Sequence, residues 1–120
     1  MADPAFLFIT IDATDAPAAA AFWSGLLGTG IDAEMDDGRF IFLEGREGLP
    51  VICIQRVPEP KRGKTRIHLD LGVEDLAAAT ARVLELGGSW DGEERTLATF
   101  TWRTCADPEG TEFDLALETG

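Results

Sequence analysis

Basic residues, histidine and cysteine are all scarce in this chain. Ten Lys and Arg face 22 Asp and Glu, a net charge of −12. Nucleic acid and anionic membrane surfaces are therefore excluded as partners, because both would be repelled. Two cysteines, Cys53 and Cys105, are too few for a disulfide framework. No basic stretch leads into an apolar run, so no signal peptide is expected. The Ala-rich stretch 16–21 is too short and too flanked by acids to span a membrane. A cytoplasmic location is the expectation. Histidine occurs once, at position 68.

What the chain does have is a repeat at a spacing of 60 residues. Asp15 answers to Asp75, Ala18 to Ala78, Ala19 to Ala79, Ala21 to Ala81 and Gly28 to Gly88. Apolar positions match around these identities: Leu7 with Ile67, Ile9 with Leu69, Ile11 with Leu71, Leu26 with Leu86. Solenoids use shorter periods and three or more copies. Two copies point instead to a paired, pseudo-symmetric domain of 120 residues, long enough for a real core. Chemistry should then lie at equivalent positions of the two halves.

Each half reads β-α-β-β-β. Phe6–Asp12 is β-branched and aromatic and predicts a strand. Thr14 or Asp15 caps a helix that tolerates Pro17 in its first turn and ends at Gly28. Short strands follow near Gly30–Met35, Arg39–Glu44 and Val51–Val57. The second half repeats the order: strand Arg66–Val73, helix Asp75–Leu86, a weak strand Ser89–Asp91, then strands Thr96–Cys105 and Thr111–Leu117. Between the halves, residues 58–65 read as a linker rich in Pro and Gly. Arg56, Lys61, Arg62, Lys64 and Arg66, against Glu59, give residues 56–66 a charge of +4. That run is read as a solvated linker, with an anion-binding patch as the alternative. The module boundaries expected are 5–57 and 66–118 within a single domain.

Side chains alternate across a strand. Leu7, Ile9 and Ile11, like Ile67, Leu69 and Leu71, should pack on the helices. The opposite faces then carry Phe8 in the first half and His68 with Asp70 in the second. Aligning the terminal strands at a shift of 59 brings Gln55 onto Asp114. Phe8, Gln55, His68 and Asp114 are thus four corresponding positions on concave faces.

The βαβββ duplication, the helix carrying Phe22-Trp23 and closed by Gly28, and the run IHLDLGVEDLAAA resemble the vicinal oxygen chelate superfamily. This superfamily includes glyoxalase I, extradiol dioxygenases, and the fosfomycin and bleomycin resistance proteins. RVPEPKRGKTRIHLDL and the terminal DPEGTEFDL are similar to its glyoxalase-like domain branch. The resemblance implies an α+β fold: two βαβββ modules in pseudo-twofold repeat, forming a half-open mixed β-barrel with helices outside. It also implies a divalent metal held by side chains of both modules, in slots that fall here on Phe8, Gln55, His68 and Asp114. Homodimers are common in the family, and one is expected here.

Those four positions make a poor metal set. His68 is a ligand, Asp114 one carboxylate, Gln55 a neutral amide oxygen, and Phe8 offers nothing. A catalytic site wants three protein ligands and an open position. The expectation is a degraded site without a cofactor, with His68 hydrogen-bonded to Asp114 or Gln55. The alternative is a bound divalent ion (Zn, Ni, Mn or Fe) on His68, Asp114 and Gln55. His68 beside Asp114 would also serve as a general base. Asp70 and Glu112 are read as a solvated rim. Phe8, Phe40, Phe42, Phe100 and Trp102 either line the cleft or, for the paired positions, belong to the core at period two.

Three functions are compatible with these residues. The first is binding of a small organic molecule in a concave, aromatic cleft. The second is a metal-dependent lyase or isomerase of glyoxalase type on an enolisable carbonyl substrate. The third is sequestration without catalysis, as in bleomycin-resistance relatives. Dioxygenase chemistry ranks last, since iron would lack its second histidine.

Overall fold

The computed structural model describes residues 3–119. It resolves into two compact units, one ending at Pro60 and the other starting at Lys61. Among the described residues they carry eight strands and two helices in the order βαβββ–βαβββ.

In the first unit, β1 (Ile9–Ala13), β2 (Ile31–Met35), β3 (Phe40–Leu43) and β4 (Ile52–Arg56) form a sheet in the order β1-β4-β3-β2. β1 runs parallel to β4 and the other pairs are antiparallel. α1 (Ala16–Leu27) packs on β1, β3 and β4. It starts where Asp15 Oδ1 accepts from the Ala18 N–H at 3.1 Å, and stops at Gly28 in the left-handed conformation, φ 67°. An N-cap of this kind contributes about 1 kcal/mol. Phe22 and Trp23, edge-to-face at 5.3 Å, are buried with Ile41, Leu43 and Ile54.

The second unit repeats this plan. β5 (Asp70–Gly72), β6 (Ser89–Leu97), β7 (Phe100–Ala106) and β8 (Glu112–Glu118) give the order β5-β8-β7-β6, with β5 parallel to β8. Asp75 caps α2 (Leu76–Glu85) as Asp15 caps α1, accepting from Ala78 N–H at 3.0 Å. α2 packs on β6, β7 and β8 above the buried Val83, Phe113 and Leu115. The architecture is therefore α+β, two four-stranded mixed sheets with one helix each and no closed barrel.

Four expectations need correcting. β1 begins at Ile9, not Phe6, and Leu7 is 81% exposed instead of packing on α1. Its counterpart β5 is only Asp70–Gly72, and Ile67 is 84% exposed. The physical reason in the second case is local. Glu112, which would continue the ladder alongside residue 68, bonds to Thr65 instead: its N–H donates to Thr65 Oγ1 at 3.4 Å and its Oε2 accepts from Thr65 N–H at 2.9 Å. β6 extends nine residues rather than three, passing through a bulge with Gly92 at φ 89°. Finally, the strand expected over Thr96–Cys105 is a hairpin. Leu97 pairs with Phe100 around a two-residue turn in which Ala98 adopts φ 55°. Neither Ala98 nor Thr99 is a turn-forming type, so no local signal marks it.

Residues 61–65 are not simply a solvated linker. Lys61 Nζ pairs with Glu112 Oε1 at 3.0 Å and also donates to the Gly63 carbonyl, which ties this segment to the second sheet. Among the described residues no helix is long and apolar enough to cross a membrane.

Candidate functional site

Alternation along β7 and β8 gives the second sheet two distinct faces. Phe113 and Leu115 point under α2, where Arg103 also reaches Thr80 Oγ1 at 3.1 Å. Glu112, Asp114 and Ala116 on β8, with Phe100, Trp102 and Thr104 on β7, occupy the other face. There they line a cleft of about 740 Å³. The ladder aligns the chemistry: Thr104 lies opposite Asp114, and Asp114 lies opposite Asp70. His68, two residues before Asp70, falls on the same side.

His68 Nδ1 stands 3.5 Å from Asp70 Oδ2 and 3.7 Å from Asp114 Oδ2. These are ion-pair distances, longer than a hydrogen bond. His68 therefore stands beside Asp114 without the expected hydrogen bond to it, and Asp70 is the nearer carboxylate. Asp114 is largely covered, 13% exposed, and its Oδ1 accepts from Thr104 Oγ1 at 2.7 Å. Burial pushes the Asp70 carboxyl above its ordinary range, and a hydrogen bond shared with Asp114 raises it further, partly offset by the His68 charge. The two carboxylates are close enough that ionising both is unfavourable.

Around this cluster Glu112, Asp91 and Arg95 have partners. Burial acts to raise the Glu112 carboxyl, but hydrogen bonds from Thr65 and Lys61 outweigh it and bring the group down to about 2. Arg95 bridges Asp91 at 3.0 Å and Glu93 at 2.6 Å. Burial drives the Cys105 thiol up to about 11, with the Asp91 and Asp114 charges adding to it, and raises Cys53 as well. Both cysteines are buried thiols rather than nucleophiles.

The structure therefore gathers four of the predicted residues, His68, Asp114, Phe100 and Trp102, into one cleft of the second unit. The other four lie in the first unit. Phe8 meets Phe42 edge-to-face at 5.2 Å, Phe40 lies under the Arg39 guanidinium at 5.2 Å, and Gln55 is the ladder partner of Phe40 and Asp12. Phe40, Phe42 and Gln55 alternate with Ile41 and Ile54, so they sit on the sheet face opposite α1. This decides the open question for the phenylalanines: they are not part of the helix-side core.

Asp70, expected at the solvated rim, is exposed and is also the carboxylate nearest His68. The signal was present, since His68 and Asp70 are two apart in an extended segment and share a face. Thr104 is placed by the β7–β8 ladder and Arg95 by the β6–β7 hairpin, neither of which is legible in the chain. One imidazole and two carboxylates, with donor atoms all within 4.8 Å of one another, meet the count of three ligands for a divalent ion. The donor chemistry fits a metal. A His–carboxylate pair equally fits proton transfer.

A sequence profile described as the glyoxalase-like domain matches residues 8–116. No curated protein matches the sequence in a direct comparison. Solved structures do match. The fosfomycin resistance protein FosX from Listeria monocytogenes superposes with a TM-score of 0.78 at 19% identity, over 98% of this chain and 96% of that one. A glyoxalase/bleomycin resistance protein/dioxygenase family enzyme from Burkholderia phytofirmans PsJN gives 0.78 at 14% identity, over 93% and 97%. A glyoxalase/bleomycin resistance protein/dioxygenase from Nocardioides gives 0.76 at 15%, over 98% and 85%. At these identities the likeness is one of fold.

Proposed function

Because this chain belongs to the glyoxalase-like domain family, and because its second sheet carries an aromatic cleft with one cluster of ionisable groups, we propose that it binds a small organic molecule there. The observation that carries this reading is the composition of the cleft. Phe100, Trp102 and Leu97 supply apolar surface, while His68, Asp70 and Asp114 converge beside them. An apolar pocket with a few convergent polar groups is the usual form of a ligand site. A metal set spread over both halves is degraded here, since Phe8 provides no donor. A homodimer is part of the same proposal: Leu7 and Ile67 are apolar and exposed just ahead of β1 and β5.

The test is a fragment screen by NMR using aromatic amines, aromatic acids and 2-oxo acids. Binders should shift the Trp102 indole and the His68 ring signals, and Trp102→Ala should abolish those shifts while the fold persists. Binders that shift neither residue would sink the reading.

A second reading, lyase or isomerase chemistry, is favoured by the carboxylates flanking His68. The imidazole would take a proton from the carbon next to a carbonyl and return it to a neighbouring atom, with the carboxylates stabilising the imidazolium. Deuterium exchange from solvent into 2-oxo compounds, lost in His68→Ala, would support it. Absence of exchange with every fragment that binds would leave binding alone.

A further inference from the structure

We infer that the cleft of the second unit is built for a zwitterion of amino-acid type. The ligand's carboxylate meets Lys64, its ammonium lies between Asp70 and Asp114, and its apolar side chain rests on Trp102 and Phe100. This rests on the organic-ligand reading and narrows it to one chemical class.

The first support is the order of groups along β8. Successive residues on one face of a strand stand about 7 Å apart. Glu112, Asp114 and Ala116 therefore mark three levels of the cleft. At the first, Glu112 is bonded to Thr65 through its Oε2 at 2.9 Å and its N–H at 3.4 Å, and Lys64 lines the cleft next to them. At the second, Asp114 lies opposite Asp70, with His68 beside both. At the third, Ala116 pairs with Trp102, and Phe100 follows one level on, opposite Glu118. Cation, carboxylates and aromatic surface thus come in that order. An α-amino acid presents the complementary series of carboxylate, ammonium and side chain in the same order.

The second support is which charges are already matched. Glu112 is held by Lys61 at 3.0 Å, and Asp91 and Arg95 hold each other at 3.0 Å. Among the described residues Lys64 forms no ion pair, and Asp70 and Asp114 form none with Lys or Arg. A plain organic anion would satisfy Lys64 but face two carboxylates. A plain cation would satisfy the carboxylates and leave Lys64 unmatched. Only a ligand carrying both charges answers both.

The third support is how Lys64 is held. Lys61 and Thr65 both bond to Glu112, so the segment between them is tied to β8 at each end. Lys64 is therefore presented from a fixed backbone at the edge of the cleft. Its flexible four-carbon stem supplies the reach toward the Asp114 level.

The experiment titrates the full chain with L-phenylalanine, 2-phenylethylamine and 3-phenylpropanoate, which share one apolar body, and follows the Trp102 indole signal. L-Phenylalanine should bind about fivefold or more tightly than either of the others, the worth of one partly exposed charged contact. Lys64→Gln should remove its advantage over the amine and leave the amine's own affinity unchanged. Asp70→Asn should reduce its advantage over 3-phenylpropanoate. Circular dichroism checks that both variants, made at exposed positions, keep the fold. An amine or an acid that binds as tightly as the zwitterion would overturn the inference, as would a Lys64→Gln protein that keeps the full preference. In either case aromatic fragments still shift Trp102, and the organic-ligand reading stands. If no fragment shifts Trp102 or His68, both fall together.

Discussion

Thr104 and Asp114 face each other across β7 and β8, and the threonine hydroxyl donates a 2.7 Å hydrogen bond to Asp114 Oδ1. The acceptor is largely covered, 13% exposed. Thr104→Val should cost about 1–3 kcal/mol, since it leaves a mostly buried acceptor without its donor. Thr104→Ser should retain most of it. Urea unfolding of the three proteins measures the difference, and a valine variant as stable as serine would show that the bond contributes nothing.

Glu112 makes stability depend on acid. Its folded-state carboxyl is depressed to about 2 from an ordinary 4.5, chiefly through bonds to Thr65 and Lys61 that outweigh desolvation. The unfolded chain therefore binds its proton first on acidification. The stabilisation is complete above about pH 4.5 and is lost as pH falls toward 2. Partial exposure of both side chains limits it to about 2 kcal/mol. Glu112→Gln should lower the melting temperature at pH 7 and narrow the gap to wild type steadily below pH 4.5. A gap that stays constant from pH 7 to pH 2.5 would contradict this origin.

Ala98 occupies the left-handed region, φ 55°, in the β6–β7 turn. That conformation costs an L-residue about 1–2 kcal/mol, and glycine escapes it while losing somewhat more chain entropy on folding. Ala98→Gly should therefore stabilise the protein, by about 0.5–1 kcal/mol. Thermal unfolding checks the sign, and a destabilised glycine variant would refute the argument.

Cys53 and Cys105 should be silent toward thiol reagents. Both are buried and both thiols are raised, Cys105 to about 11, so thiolate is scarce at pH 8. Ellman's reagent should label neither in the native state and both in urea. Rapid labelling of the folded protein would place a thiol at the surface.

How far the sequence reaches differs by level. The helices, their Asp15 and Asp75 caps and the stop at Gly28 are readable because capping and left-handed glycine are local effects. The Asp107–Gly110 turn is local in the same way: the Asp107 side chain accepts from the N–H groups of Glu109 and Thr111 at 2.9 Å. The hairpin at Ala98 was hidden because its residues oppose the turn they make. That conformation is imposed by the long β6–β7 ladder rather than by its own propensity.

The candidate site follows the same division. His68 and Asp114 stand out in the chain because one is the sole histidine, opposite Phe8 in the 60-residue repeat, and the other falls opposite Gln55 at a shift of 59. The repeat, the family and the α+β plan are properties of pattern, and pattern is written in order along the chain. Asp70 as the nearer carboxylate, Thr104 as the holder of Asp114 and Lys61 as the partner of Glu112 were not. Each is a distance between residues far apart in sequence or a choice among nearby acids. Such distances are decided only when parallel and antiparallel ladders fix one strand's register against the next.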